Sequence, residues 1–90
     1  MEIFKYDMLT VLAQIDANIP WYTQLSDARQ RVLANMAFNM GYHGLAQFQR
    51  MLTHVQAGEW EEAAREMESS LWARQVPNRV ARLAAQMRAG

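Results

Sequence analysis

Few side chains in this sequence can do chemistry, and their spacing restricts them further. His43 and His54 are the only histidines. They fall in different expected elements, with no HExxH pattern between them. A zinc site needs three or four N, S or carboxylate ligands converging on one point, so both histidines read as loop or surface residues and no metal is expected. Cysteine is absent, which excludes a thiol nucleophile, a Cys-based zinc site and a disulfide framework together. Ser69-Ser70 lies outside any GxSxG elbow and reads as a break between helices. The glycines, Gly41, Gly44, Gly58 and Gly90, form neither a GxGxxG turn nor a Walker loop, so no nucleotide or other cofactor is expected.

Carboxylates are the reactive class in good supply. Glu59, Glu61, Glu62, Glu66 and Glu68 crowd one segment. A glycosidase needs a general acid and a second carboxylate about 5–10 Å apart across a cleft, with an apolar pocket that raises the acid's pKa. Glu62 and Glu66, at i and i+4, share one helix face and read as solvated, so no catalytic residue is assigned. The same segment holds one base, Arg65, whereas Arg74, Arg79, Arg82 and Arg88 follow Ser69 with no acid among them. Two solvated helix faces that attract each other account for this asymmetry. Across the chain nine Lys and Arg balance nine Asp and Glu, which argues against a basic nucleic-acid or anionic-membrane binder.

The elements that must position these residues are helical. Ninety residues, 51% of them apolar, predict one small domain, 1–90. A chain of this size buries roughly 60–65% of its unfolded surface. Val11, Leu12, Ile15 and Ile19 continue a stripe begun by Phe4 and Met8, with the steps of three and four of a helix face. Ile19-Pro20 ends that first helix, because a residue before proline is pushed out of the α region. Trp21 and Tyr22 then lie in a short connection. Ser26-Asp27 predicts a helix start. The run from Val32 to Met40 is apolar nearly all round, which predicts a buried central helix capped by Gly41 in a left-handed conformation. Gly44 is expected to open a third helix with Leu45, Phe48, Met51, Leu52 and Val55 on one face, closing at Ala57-Gly58. A fourth starts near Glu59 and turns Trp60, Ala63, Ala64 and Met67 inward. Leu71-Trp72 begins or continues a further turn. Pro77 fits the first turn of the last helix, whose stripe is Val80, Leu83, Ala84 and Met87. Phe38, Phe48 and Trp60 read as packing. Trp72, beside Arg74 and Gln75, is open to packing or to lining a groove. The fold class is therefore all-α, a compact bundle of about five helices, with 1–19 as the first helix and 26–90 as the core. No apolar stretch approaches the roughly 18–20 residues of a membrane span. The opening MEIFKYDMLT lacks a basic n-region and a continuous apolar h-region, so the chain is expected to be cytoplasmic as made.

The order of the landmarks adds a resemblance. Asn35-Met36-Ala37-Phe38-Asn39-Met40-Gly41 is followed by Gly44 and Phe48, then Trp60-Glu61-Glu62-Ala63-Ala64. Ser70-Leu71-Trp72-Ala73-Arg74-Gln75-Val76-Pro77-Asn78-Arg79 follows, with Arg82 and a final Arg88-Ala89-Gly90. An NMxFxxG run and an SxWxxQxPxR run at this separation resemble the C-terminal lobe of phage-type lysozymes, the muramidases that cut peptidoglycan glycan strands. The likeness extends more weakly upstream through Leu25 and Pro20 and covers essentially the whole chain. It implies a helical lobe in which 1–16 corresponds to the later part of the helix joining two lobes. It also implies that Phe38, Asn39, Trp72, Gln75 and Arg79 face the cleft between those lobes. In the family, the arginine matching Arg79 pairs with the catalytic glutamate. That glutamate begins an E-x8-D/C-x5-T pattern, which no glutamate here begins: Val11 stands nine residues after Glu2, and Glu59 and Glu68 are followed by Arg74 where threonine belongs. The near-neutral charge also differs from the basic surface expected for gripping a cell wall. The resemblance thus implies a lysozyme-like module without the catalytic N-terminal lobe. Arg79 is expected to be solvated or paired within the chain, for instance with an acid of 59–68. A protein partner, or a second copy, is expected to cover the exposed cleft face, which can expose a few hundred Å² of apolar surface. Two alternatives are a fragment or half of a muramidase and a weak binder of peptidoglycan.

Overall fold

A computed structural model describes residues 7–90. Phe4 and the other first six positions of the expected first helix lie outside the described residues. Among the described residues all regular structure is helical, and the chain divides into two compact units that meet in sequence at Gln47 and Phe48.

In the first unit, α1 spans Met8–Asn18. Asp7 opens it by accepting hydrogen bonds from the Thr10 hydroxyl at 2.7 Å and the Thr10 amide at 3.2 Å, which satisfies one orphan donor of the first turn. These bonds, the hydroxyl's first, hold the Asp7 carboxyl below its ordinary value. α1 buries Val11 and Ile15. It stops where Ile19-Pro20 dictates: Ile19 has φ −126° and ψ 71°, outside the helical region. The connection carrying Trp21 and Tyr22 is itself a 3-10 helix, Pro20–Gln24, with proline in its first turn.

α2 spans Asp27–Ala46 and packs on α1. The Ser26 hydroxyl oxygen accepts from the Arg29 amide at 3.2 Å, so the expected cap is in place. Val32, Leu33, Ala34, Met36, Ala37 and Phe38 are all buried, as the all-round apolar run requires. Two amides interrupt that run, and each folds back on its own helix. Asn35 Nδ2 donates to the Arg31 carbonyl at 2.8 Å and Asn39 Nδ2 to the Asn35 carbonyl at 2.7 Å.

The central helix breaks at Gly41 where the sequence predicts, but Gly44 does not begin the next helix. Helical geometry does break at Gly41, with φ 81° and ψ 160°, a region that only glycine enters readily. The ψ is far from the left-handed helical value of about 47°, so the residue kinks the helix without capping it. Helical turns resume and run to Ala46, which makes Gly44 and Leu45 the end of α2.

In the second unit, α3 (Gln49–Gln56), α4 (Trp60–Glu68), α5 (Leu71–Gln75) and α6 (Pro77–Ala89) follow in order. α4 packs against α3 and α6, and α5 against α6. Met51, Met67 and Met87 contribute one fully buried thioether from each of α3, α4 and α6. Ala63, Ala64 and Ala84 are equally buried. Small side chains let helices approach, and unbranched methionines fill the irregular space that remains.

The α3–α4 turn closes at Ala57-Gly58 as expected. The Glu59 amide donates to the His54 carbonyl at 2.8 Å and the Gly58 amide to the Val55 carbonyl at 3.1 Å. Gly58 supplies the φ of 78° that this double closure needs. Ser70 caps α5: its hydroxyl accepts from the Ala73 amide at 3.2 Å and donates to the Met67 carbonyl at 2.6 Å. Pro77 occupies the first turn of α6, and the expected stripe Val80, Leu83, Ala84 and Met87 is buried. The five-residue α5 is why six α-helices, with the 3-10 helix, stand among the described residues where about five were expected. None of these helices is long and apolar enough to cross a membrane.

Candidate functional site

The expected cleft residues fall in both units. Phe38 and Asn39 sit on α2 just ahead of the Gly41 break. Phe38 is buried, with 6% of its surface exposed. Asn39 is half-buried, its amide nitrogen fixed on the Asn35 carbonyl.

Trp72, Gln75 and Arg79 belong to the second unit, and the break between α5 and α6 positions them. The Ser70 cap starts α5, whose first two residues are Leu71, 67% exposed, and Trp72, half-buried. The indole stands edge-on to the Phe48 ring, with centroids 6.1 Å apart at 85°, a geometry that aromatic quadrupoles favour. Gln75 is exposed at the last position of α5. Val76, at φ −135° and ψ 66°, leaves the helical region before Pro77, and α6 starts at once. Arg79 is half-buried in the first turn of α6, which carries no acid. The helix dipole favours anions at that end. A cation there gains nothing from the dipole.

The ion pairs of the second unit run through Arg88. In the last turn of α6, its guanidinium donates to Glu61 at 3.0 and 2.9 Å and to Glu68 at 2.8 and 2.9 Å. Arg65 reaches Glu61 at 3.3 Å. The attraction expected between the 59–68 segment and the arginines after it is thus made by the last of those arginines. Hydrogen bonds from Arg88, ahead of its charge, hold the Glu61 and Glu68 carboxyls below their ordinary value. That shift keeps them ionised, the reverse of what a general acid requires. A second polar pair closes the α3–α4 turn, where His54 Nδ1 meets Glu59 Oε1 at 2.7 Å. Neither pair was assigned from the sequence. The charge asymmetry was the one available sign of the first.

Two open hollows occur elsewhere. One, of about 300 Å³, lies between the start of α1 and the Gly41 break, beside Asp7, Thr10, Gln14, Met40 and His43. The other, of about 560 Å³, follows α3 beside Arg50, Thr53, His54 and Glu66. None of the five expected residues lines either hollow. Among the described residues no group of three or more His, Cys, Asp or Glu is arranged to hold a metal ion.

An all-α chain with these landmarks is a lysozyme-like module, and known proteins bear this out. The chain is 39% identical over 84 residues to the pre-baseplate central spike protein Gp5 of Enterobacteria phage T4, covering 90% of this chain and 15% of that protein. It is 31% identical over 91 residues to probable T4-type lysozyme 1 of Dictyostelium discoideum, covering 98% of this chain and 54% of that protein. Probable T4-type lysozyme 2 of the same organism is 38% identical over 58 residues, covering 64% of this chain and 34% of that protein. No family model matches the chain. The chain is therefore related to the phage-type lysozymes, and it spans about half or less of the length of these relatives.

Proposed function

We propose that this chain is a non-catalytic module equivalent to the C-terminal lobe of a phage-type lysozyme, and that it binds a protein partner through Trp72, Gln75 and Arg79 of its second unit. One observation carries the reading. Likeness to proteins named lysozymes extends over up to 98% of the chain, yet none of its glutamates begins the E-x8-D/C-x5-T pattern. The depressed Glu61 and Glu68 carboxyls support it, being committed to Arg88 as anions. A relative named as a spike protein supports use of such a module within a protein assembly.

The test is capture from phage and host lysates on the immobilised chain, together with its mass in solution. The expected result is a partner, or a second copy, whose binding is lost in Trp72→Ala and Arg79→Ala. A monomer that captures nothing sensitive to those variants overturns the reading.

A second reading, favoured by the lysozyme names of two relatives, makes the chain part of a muramidase that hydrolyses peptidoglycan glycan strands. It requires clearing of permeabilised cells by the chain, alone or with a family N-terminal lobe supplied. Under a third reading the chain holds peptidoglycan weakly, and it should then sediment with insoluble peptidoglycan at low salt.

A further inference from the structure

We propose that Arg88 is an acid-released clasp that fixes the last turn of α6 to α4 and lets it go when Glu61 and Glu68 take up protons. Glu61 and Glu68 stand two turns apart on one flank of α4, with Arg65 between them. Glu62 and Glu66 lie on the opposite flank. The buried residues Ala63, Ala64 and Met67 separate the two. Arg88 flanks the buried stripe of α6 and spans both carboxylates with four hydrogen bonds of 2.8–3.0 Å. Planar forks that meet carboxylates in this way are the strong form of ion pair. α5, the other helix packed on α6, carries Arg74 as its one ionisable side chain, so it brings no carboxylate to replace α4's.

Protonation changes this group from two anions among two cations to two cations, Arg65 and Arg88, beside neutral acids. The attraction goes, and like charges remain near one carboxyl group. The effect falls on the turn next to Met87, which is fully buried, and on the closing bond from the Gly90 amide to the Gln86 carbonyl at 2.8 Å. Earlier parts of α6 are anchored by Val80, Leu83 and Ala84 and need no ion pair. The clasp is therefore local to the end of the helix.

Hydrogen exchange resolved along the whole chain tests this, with each amide's protection corrected for its intrinsic rate at each pH. Between pH 7 and pH 2, protection at the end of α6 should fall about 1.4- to fivefold, the range for exposed ion pairs, while the amides around Val80 and Leu83 keep theirs. Glu61→Gln combined with Glu68→Gln should show the loosened end already at pH 7 and change little on acidification. Arg82→Gln, on the exposed face of α6, should behave as the parent. Equal protection at both pH values, or a parallel loss over all of α6, overturns the clasp. So does a double Gln variant that still loosens its last turn in acid.

Discussion

Replacing Gly41 with alanine tests the kink that ends the buried run of α2. The backbone there has φ 81° and ψ 160°. A side-chain-bearing L-residue in that region costs about 1–3 kcal/mol. Alanine also restricts the unfolded chain, which returns about 0.4–1 kcal/mol where its conformation is compatible. The net expectation is a loss of about 1–2 kcal/mol, and at about 4–8 °C per kcal/mol for a chain of this size the melting temperature should fall by about 4–16 °C. Circular dichroism during heating reads this directly. A chain assembled by chemical ligation with D-alanine at 41 separates strain from space, since a D-residue accepts positive φ and carries the same methyl group. It should recover most of the lost stability. If Gly41→Ala melts with the parent, backbone strain at this position is not what keeps glycine there. If both enantiomers are equally damaging, crowding of the methyl group is the cause and the strain argument fails.

Three further outcomes are expected. Met67→Ala, at a fully buried site on α4, should cost about 2–5 kcal/mol in urea unfolding, whereas Met67→Leu should cost under about 1.5 kcal/mol. Ser70→Ala removes the acceptor for the Ala73 amide and should cost about 0.5–2 kcal/mol, with the tryptophan emission changed by loosening around Trp72. Glu61 and Glu68 titrate below their ordinary value of 4.5, so the stability they contribute is complete above that pH and is lost as pH falls through the lowered values. Urea midpoints should hold level down to about 4.5 and then decline, less steeply when both are replaced by glutamine.

Local chemistry made most of the helices legible. Ile19-Pro20, Ser26, Ala57-Gly58 and Pro77 each act on the backbone within a residue or two, and each marks a boundary the structure keeps. Gly41 escaped that logic because a positive-φ glycine serves equally as a cap or as a kink, and only the chain beyond it decides which. α5 is shorter than the window over which periodicity can be recognised, so it read as a turn of uncertain extent. The pairing of Arg88 with Glu61 and Glu68 depends on the register of α4 against α6, which charge counting along a segment cannot supply. Phe38, Asn39, Trp72, Gln75 and Arg79 were singled out by resemblance, since periodicity distinguishes buried from exposed positions and is silent on cleft residues. The burial of Phe38 follows from its place in the apolar run, and the helix dipole does not favour a cation at the start of α6.

The central proposal is that this lysozyme-like module has no hydrolase machinery of its own. The most direct measurement is the rate at which the purified chain clears a suspension of permeabilised bacterial cells. No clearing above buffer is expected from the chain or from Arg79→Ala. Clearing by the chain alone that is lost in Arg79→Ala and retained in Arg82→Ala contradicts the claim.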